Sequence, residues 1–148
     1  MAATPDSVPA QSSLPPAIGQ VLGLVAVTTE VDLAGRIEAG LPAETVDALR
    51  AHGFEAEDLY RLVLNRRTLA RRKGARLQPD ESDRVVRLAR VYALARRAFP
   101  GAPEYALEWL REPKRALDGR APLAVLASDA GARAVEDLLV QLEEGIYA

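Results

Sequence analysis

From Thr29 onward, apolar residues recur at intervals of three and four, the spacing of one face of an α-helix. Val31, Leu33, Ala34 and Ile37 mark a short helix that Thr29 can cap, with Gly40 as its stop and Pro42 restarting the chain. Val46 and Leu49 mark a second over about 43–51, ending near Gly53, and Leu59, Leu62 and Val63 a third over about 56–64. Asn65 is a good N-cap for a short, strongly basic helix that reaches Lys73. The longest helix is predicted over about 80–99. Its stripe is Val85, Leu88, Ala89, Tyr92, Ala95 and Phe99, and Asp80, Glu81 and Asp83 sit at the positive end of its dipole. Pro100-Gly101 stops it. A helix then runs from Pro103 to Arg111, a loop lies between Pro113 and Gly119, and a helical turn spans Pro122 to Leu126. Ser128 caps a final helix with Ala132, Val135, Leu138, Leu139 and Leu142 on one face. The apolar run through Val21–Val27 fits either a short strand or a poorly formed helix. Residues 1–20 read as a flexible arm, because residues 1–16 hold four of the ten prolines. The fold class is therefore all-α.

Composition narrows the chemistry. Apolar residues make up 49% of the 148 but aromatics only 5%, so the core is Leu, Ala and Val, which suits packed helices better than sheets. There is no cysteine, which removes disulfides, thiolate nucleophiles and Cys-based metal sites together. His52 is the only histidine, near a helix end where a ring usually meets terminal carbonyls. No serine sits in a nucleophile elbow and no Gly-x-Gly-x-x-Gly loop is present. These absences predict a binding protein that is no enzyme and takes no cofactor or metal. No apolar run approaches the roughly 18 residues that span a bilayer, and the first twenty residues do not read as a secretory signal. A cytoplasmic protein without a membrane partner is expected.

Charge then divides the chain. Net charge is −2, yet between Arg61 and Pro79 there are seven cations and no acid, while from Asp129 to Ala148 five acids face only Arg133. The basic run falls on a pattern that reads as helix-turn-helix over Gly53–Arg72, the first helix turning Leu59, Leu62 and Val63 inward and Leu69 holding the second. The second helix of such a unit enters the major groove of DNA. Arg66, Arg67 and Thr68 stand at its N-terminal end, where base edges are met, and Arg71, Arg72 and Lys73 lie one turn on, suited to phosphates. The same cations fit two other readings, a solvated face or a site for an acidic protein or the chain's own acidic tail.

The residues from about Gly40 to Tyr147 resemble the Xre/MbcA/ParS antitoxins, the partners of RES-domain toxins. The resemblance rests on Arg66-Arg67-Thr68-Leu69-Ala70-Arg71-Arg72-Lys73, Glu81-Ser82-Asp83-Arg84, Arg87-Leu88-Ala89-Arg90, Ala106-Leu107-Glu108-Trp109-Leu110-Arg111-Glu112-Pro113, Leu117-Asp118-Gly119, Pro122-Leu123, and Val135-Glu136-Asp137-Leu138-Leu139 with Leu142-Glu143-Glu144-Gly145. Lys114 stands where the family pattern often has Asn, and Ala127-Ser128 where it often has Asp-Thr. The resemblance implies a helix-turn-helix DNA-binding region over 21–78, a long connecting helix over 79–100 and a small helical toxin-binding domain over 101–148. It also implies a RES-domain toxin acting on NAD⁺ as partner, occlusion of that toxin's active site, a homodimer, and repression of the chain's own operon through double-stranded operator DNA. The alternative is a stand-alone helix-turn-helix regulator without a toxin.

For toxin binding the C-terminal half offers Trp109, Leu110, Pro113, Leu117, Gly119, Pro122 and Leu123, in which prolines fix loop shapes and a tryptophan is a typical interface anchor. Trp109 remains open between that role and core packing. Glu143, Glu144, Ile146 and Tyr147 form an acidic, apolar-tipped tail that fits either a plug for a basic cleft or a frayed terminus.

Overall fold

The computed structural model describes residues 14–145. Nine α-helices follow one another among these residues: α1 (Leu14–Leu22), α2 (Glu30–Ala39), α3 (Glu44–Ala51), α4 (Ala56–Leu62), α5 (Arg66–Arg72), α6 (Pro79–Ala98), α7 (Pro103–Arg111), α8 (Pro122–Val125) and α9 (Asp129–Glu143). A 3₁₀ turn at Arg115–Leu117 lies between α7 and α8. No strand occurs among the described residues, only the isolated bridges Pro42–Arg76 and Lys114–Arg120.

Polar side chains set the helix starts. Thr29 accepts from the Asp32 N–H while Asp32 accepts from the Thr29 N–H, a reciprocal cap on α2. The Asn65 side chain accepts from the Thr68 N–H at 2.9 Å, and Ser128 Oγ from the Gly131 N–H at 3.0 Å. Gly40, at φ 87°, ends α2 beside the Leu77 carbonyl, where a Cβ would collide.

The N-terminal expectation needs correction. The arm expected over 1–20 gives way at Leu14 to α1, and the undecided Val21–Val27 run is the end of that helix followed by a turn at Gly23. Pro15 and Pro16, counted toward a flexible arm, occupy a first turn whose N–H groups have no intrahelical acceptor anyway. Ile18 is fully buried and Val21 and Leu22 nearly so, so α1 is part of the core. Residues 1–13 lie outside the described residues.

Helix α6 is the centre of the molecule. Its 20 residues, about 30 Å long, pack against α1, α2, α3, α7 and α9. The sequence offers one apolar stripe, but Val85, Val86, Leu88, Ala89 and Val91 to Ala95 are all buried, so the helix is covered nearly all round. Its arginines explain how that is tolerated. Arg84 donates to the Val63 carbonyl at 2.9 Å, and Arg87 to the Leu126 and Ala127 carbonyls at 3.4 and 3.3 Å. These are carbonyls at the ends of α4 and α8, which no helical N–H can reach. Arg90 forms a double hydrogen bond with Glu30 of α2 at 2.6 and 2.7 Å.

Candidate functional site

Helices α4 and α5 are joined by the three residues Val63, Leu64 and Asn65. Leu59, Leu62, Val63 and Leu64 are buried, whereas α5 has no fully buried residue and is held inward by the half-buried Leu69. A seven-residue helix resting on one leucine needs other fastenings, and the basic cluster supplies them. Arg72 Nε and Nη2 donate to Glu81 Oε1 and Oε2 at 3.0 and 3.1 Å, tying the last turn of α5 to the first turn of α6. Glu81 Oε1 also accepts from the Gln78 N–H at 2.8 Å. Burial pushes the Glu81 carboxyl up, but the hydrogen bonds from Arg72 and the Gln78 N–H, with the charges of Arg72 and Arg84, leave it below its ordinary value. Arg61 donates to the Leu123 carbonyl at 3.2 Å and Arg76 to the Gly40 carbonyl at 2.7 Å.

The seven cations therefore divide. Arg61, Arg72 and Arg76 fasten the fold, and Arg66, Arg67, Arg71 and Lys73 remain exposed on or beside α5. Arg66 rests over the Tyr60 ring, 5.8 Å from its centroid, which limits its sweep. Thr68 is half-buried and its N–H is taken by Asn65. Arg72, expected to meet phosphate, is committed to Glu81 instead. The signal was in the sequence, since Glu81 is nine residues on at the start of the next helix, but spacing alone does not reveal that the two ends meet.

The C-terminal candidates divide as well. Leu110 is fully buried, Leu123 is 5% and Trp109 6% exposed, and Pro122 is buried. In this structure these four side chains are part of the core. Trp109 packs on Phe99, ring centroids 6.1 Å apart, and Lys114 Nζ stands 4.5 Å from the Trp109 centroid. Pro113 and Gly119 are exposed and Leu117 half-buried. They share a closed loop in which the Lys114 N–H donates to the Arg120 carbonyl at 3.0 Å and the Gly119 N–H to the Lys114 carbonyl at 2.9 Å. Asp118 and Gly119 adopt φ of 58° and 80°, the left-handed turn that closes it. The core residues thus shape this loop from beneath.

Glu143, expected in a projecting tail, is half-buried and accepts from Arg97 Nε and Nη2, both at 3.3 Å. It holds α9 to the end of α6. Glu144 is exposed, and Ile146 and Tyr147 lie outside the described residues. Among the described residues of this half, the aromatic that reaches the surface is Tyr105, 43% exposed and edge-on to Phe99 at 4.8 Å. Its place within α7 gives no sign in the sequence that it faces outward. His52 meets a helix-terminal carbonyl, but that of α1: its Nε2 lies 3.1 Å from the Val21 oxygen, which can only accept, so Nε2 carries the hydrogen. Among the described residues no group of His, Asp and Glu is arranged to hold a metal, and no helix is long and apolar enough to cross a membrane.

Two family models match the chain. Residues 32–90 match the antitoxin Xre-like helix-turn-helix domain, and residues 94–145 match the antitoxin Xre/MbcA/ParS C-terminal toxin-binding domain. Among curated proteins, an antitoxin Xre of Yersinia enterocolitica is 31% identical over 136 residues, covering 89% of this chain and 91% of the relative. One from Pseudomonas putida is 30% identical, covering 84% and 79%, and one from Photorhabdus laumondii is 32% identical, covering 76% and 78%.

Proposed function

Since the chain belongs to the Xre-type antitoxins, combining a helix-turn-helix domain with a C-terminal toxin-binding domain, we propose that it neutralises a RES-domain toxin acting on NAD⁺ by occluding its active site, and that it represses its own operon by binding operator DNA. Cytoplasmic action as a homodimer is part of the reading. Exposed Val25 and Val31, 79% and 80% accessible, offer apolar surface for a second copy.

The observation that carries the DNA half is the set of four exposed cations, Arg66, Arg67, Arg71 and Lys73, on one short helix capped by Asn65. With the other three cations fastening the fold, one copy neutralises about four phosphates. The slope of log affinity against log salt is then about −3.6 per copy, from roughly 0.9 per phosphate. The toxin half rests on the rigid 113–119 loop and on Tyr105. A loop already closed by its own hydrogen bonds loses little entropy on docking, and a half-exposed tyrosine is a typical interface anchor.

The test is co-expression with the neighbouring reading frame. Co-purification with a RES-domain product, together with restored growth, supports the reading. A neighbouring RES product that neither binds the chain nor is silenced by it overturns the toxin half. Operator affinity that does not change with salt overturns the DNA half.

A further inference from the structure

Helix α1, the end of α3 and the last turns of α6 line a cleft of about 530 Å³. Its lining combines apolar Val21, Ala93 and Pro100 with Arg96, Arg97 and His52, and no Asp or Glu of the described residues takes part. We propose that this cleft binds a small organic anion, a carboxylate carried on an apolar body.

Several independent features support it. The volume falls within the roughly 300–1,000 Å³ of small-molecule sites, and an apolar lining with a few polar groups is their usual make-up. Arg96 is exposed and, among the described residues, has no carboxylate within ion-pairing distance and only a long 3.5 Å approach to the Tyr92 hydroxyl, its guanidinium standing 5.8 Å from the Tyr92 ring centroid. Arg97 gives two of its nitrogens to Glu143, but its Nη1 is buried with no acceptor among the described residues. A buried donor without a partner is rare enough in folded proteins to require an explanation. An anion in the cleft supplies the missing charge for Arg96 and, with a small rotation of the side chain, an acceptor for Arg97. His52 contributes shape: its Nε2–H is held by the Val21 carbonyl and its ring sits 5.1 Å from Tyr92, so the wall is fixed before anything binds. The site also draws on α1, which lies outside both matched regions, whereas Arg96, Arg97, Pro100 and Gly101 belong to the matched C-terminal domain.

The full-length protein, labelled with ¹⁵N, is titrated with sodium benzoate, with the neutral isostere benzamide and with inorganic phosphate. Benzoate moves the amide signals of Val21, His52, Ala93 and Gly101 saturably at millimolar concentration, and benzamide binds at least about tenfold more weakly. Arg96→Gln weakens benzoate about tenfold with an unchanged melting temperature, and Arg96→Lys recovers part of the loss. Equal affinity for benzamide, no saturable shift, or shifts confined to Arg66–Lys73 as phosphate would cause, each overturn the proposal. A truncation removing residues 146–148 that moves the same amides without ligand also overturns it, because the occupant is then a segment of this chain.

Discussion

The guanidinium of Arg72 faces the carboxylate of Glu81 through two hydrogen bonds of 3.0 and 3.1 Å, so that one of the most prominent cations of the basic run points into the protein. A planar guanidinium matched to a carboxylate in this two-pronged manner is geometrically exacting. It fixes where α5 begins and ends relative to α6.

Arg72→Ala and Arg67→Ala are therefore expected to differ in kind. Arg67→Ala leaves the melting temperature unchanged and lowers the salt slope of operator binding by about one. Arg72→Ala lowers the melting temperature and weakens binding while leaving the slope nearly unaltered, because no phosphate contact is removed. Thermal melts and binding isotherms at several salt concentrations separate the two. Equal slope changes in both variants refute the assignment.

Acid pH separates the carboxylates by sign. Glu81 is held below its ordinary value as described, and Glu30 is lowered by its hydrogen bond from Arg90, against burial and with the Arg90 charge. A carboxyl lowered in the folded state stabilises the protein above its unfolded pKa, and that contribution is lost as pH falls through the folded one. Glu81→Gln is thus less stable than the parent at neutral pH and converges on it as pH falls through the lowered folded-state pKa.

Glu136 behaves in the opposite way. Burial, with Asp129 and Asp137 nearby, pushes its carboxyl up despite Arg90 and Arg133. Its stabilising, protonated form is complete below the unfolded pKa and is lost as pH rises through the folded one. Glu136→Gln is more stable than the parent at neutral pH, and the gain disappears in acid. Urea midpoints at neutral and acid pH decide the matter; a neutral-pH loss in Glu136→Gln contradicts it.

Two glycines inside helices give a paired test. A Cβ at Gly131 in α9 would fall on the Val125 carbonyl oxygen, whereas one at Gly35 in α2 meets nothing within 4 Å. Gly35→Ala stabilises by about 0.5–1 kcal/mol, the ordinary gain in a helix. Gly131→Ala destabilises, since α9 must move away from the end of α8. Calorimetric melting of both variants measures this.

Among the C-terminal candidates, Leu110→Ala costs roughly 2–5 kcal/mol of stability, as for other large-to-small core changes. Tyr105→Ala costs about 1 kcal/mol or less and weakens toxin binding. Denaturation of the free protein and titration with the purified toxin distinguish the two. A Tyr105 variant with full affinity moves the interface to the 113–119 loop alone.

The sequence carried the helices well where caps and periodicity agreed: Thr29, Asn65 and Ser128 all cap as their residue types suggest. It misled at Pro15-Pro16, because proline stops a helix only beyond its first turn and the strings of residues do not say which turn that is. It also misled for long side chains. Arg72, Arg84 and Arg87 look solvated by composition, but each reaches a carboxylate or a helix-terminal carbonyl on a neighbouring element, a contact visible only once the elements are placed. Trp109 and Leu110 carry the apolar, aromatic character of an interface and of a core equally, and only burial tells them apart.

Helix α6 carries a last consequence. The two matched regions part between residues 90 and 94, yet that gap falls inside one continuous helix whose buried residues serve both halves. There is no seam at which to cut. Either half expressed by itself would bring an uncovered apolar helix into water, so the two halves are expected to melt together. Amide protons in the middle of α6 should exchange only when the entire chain opens.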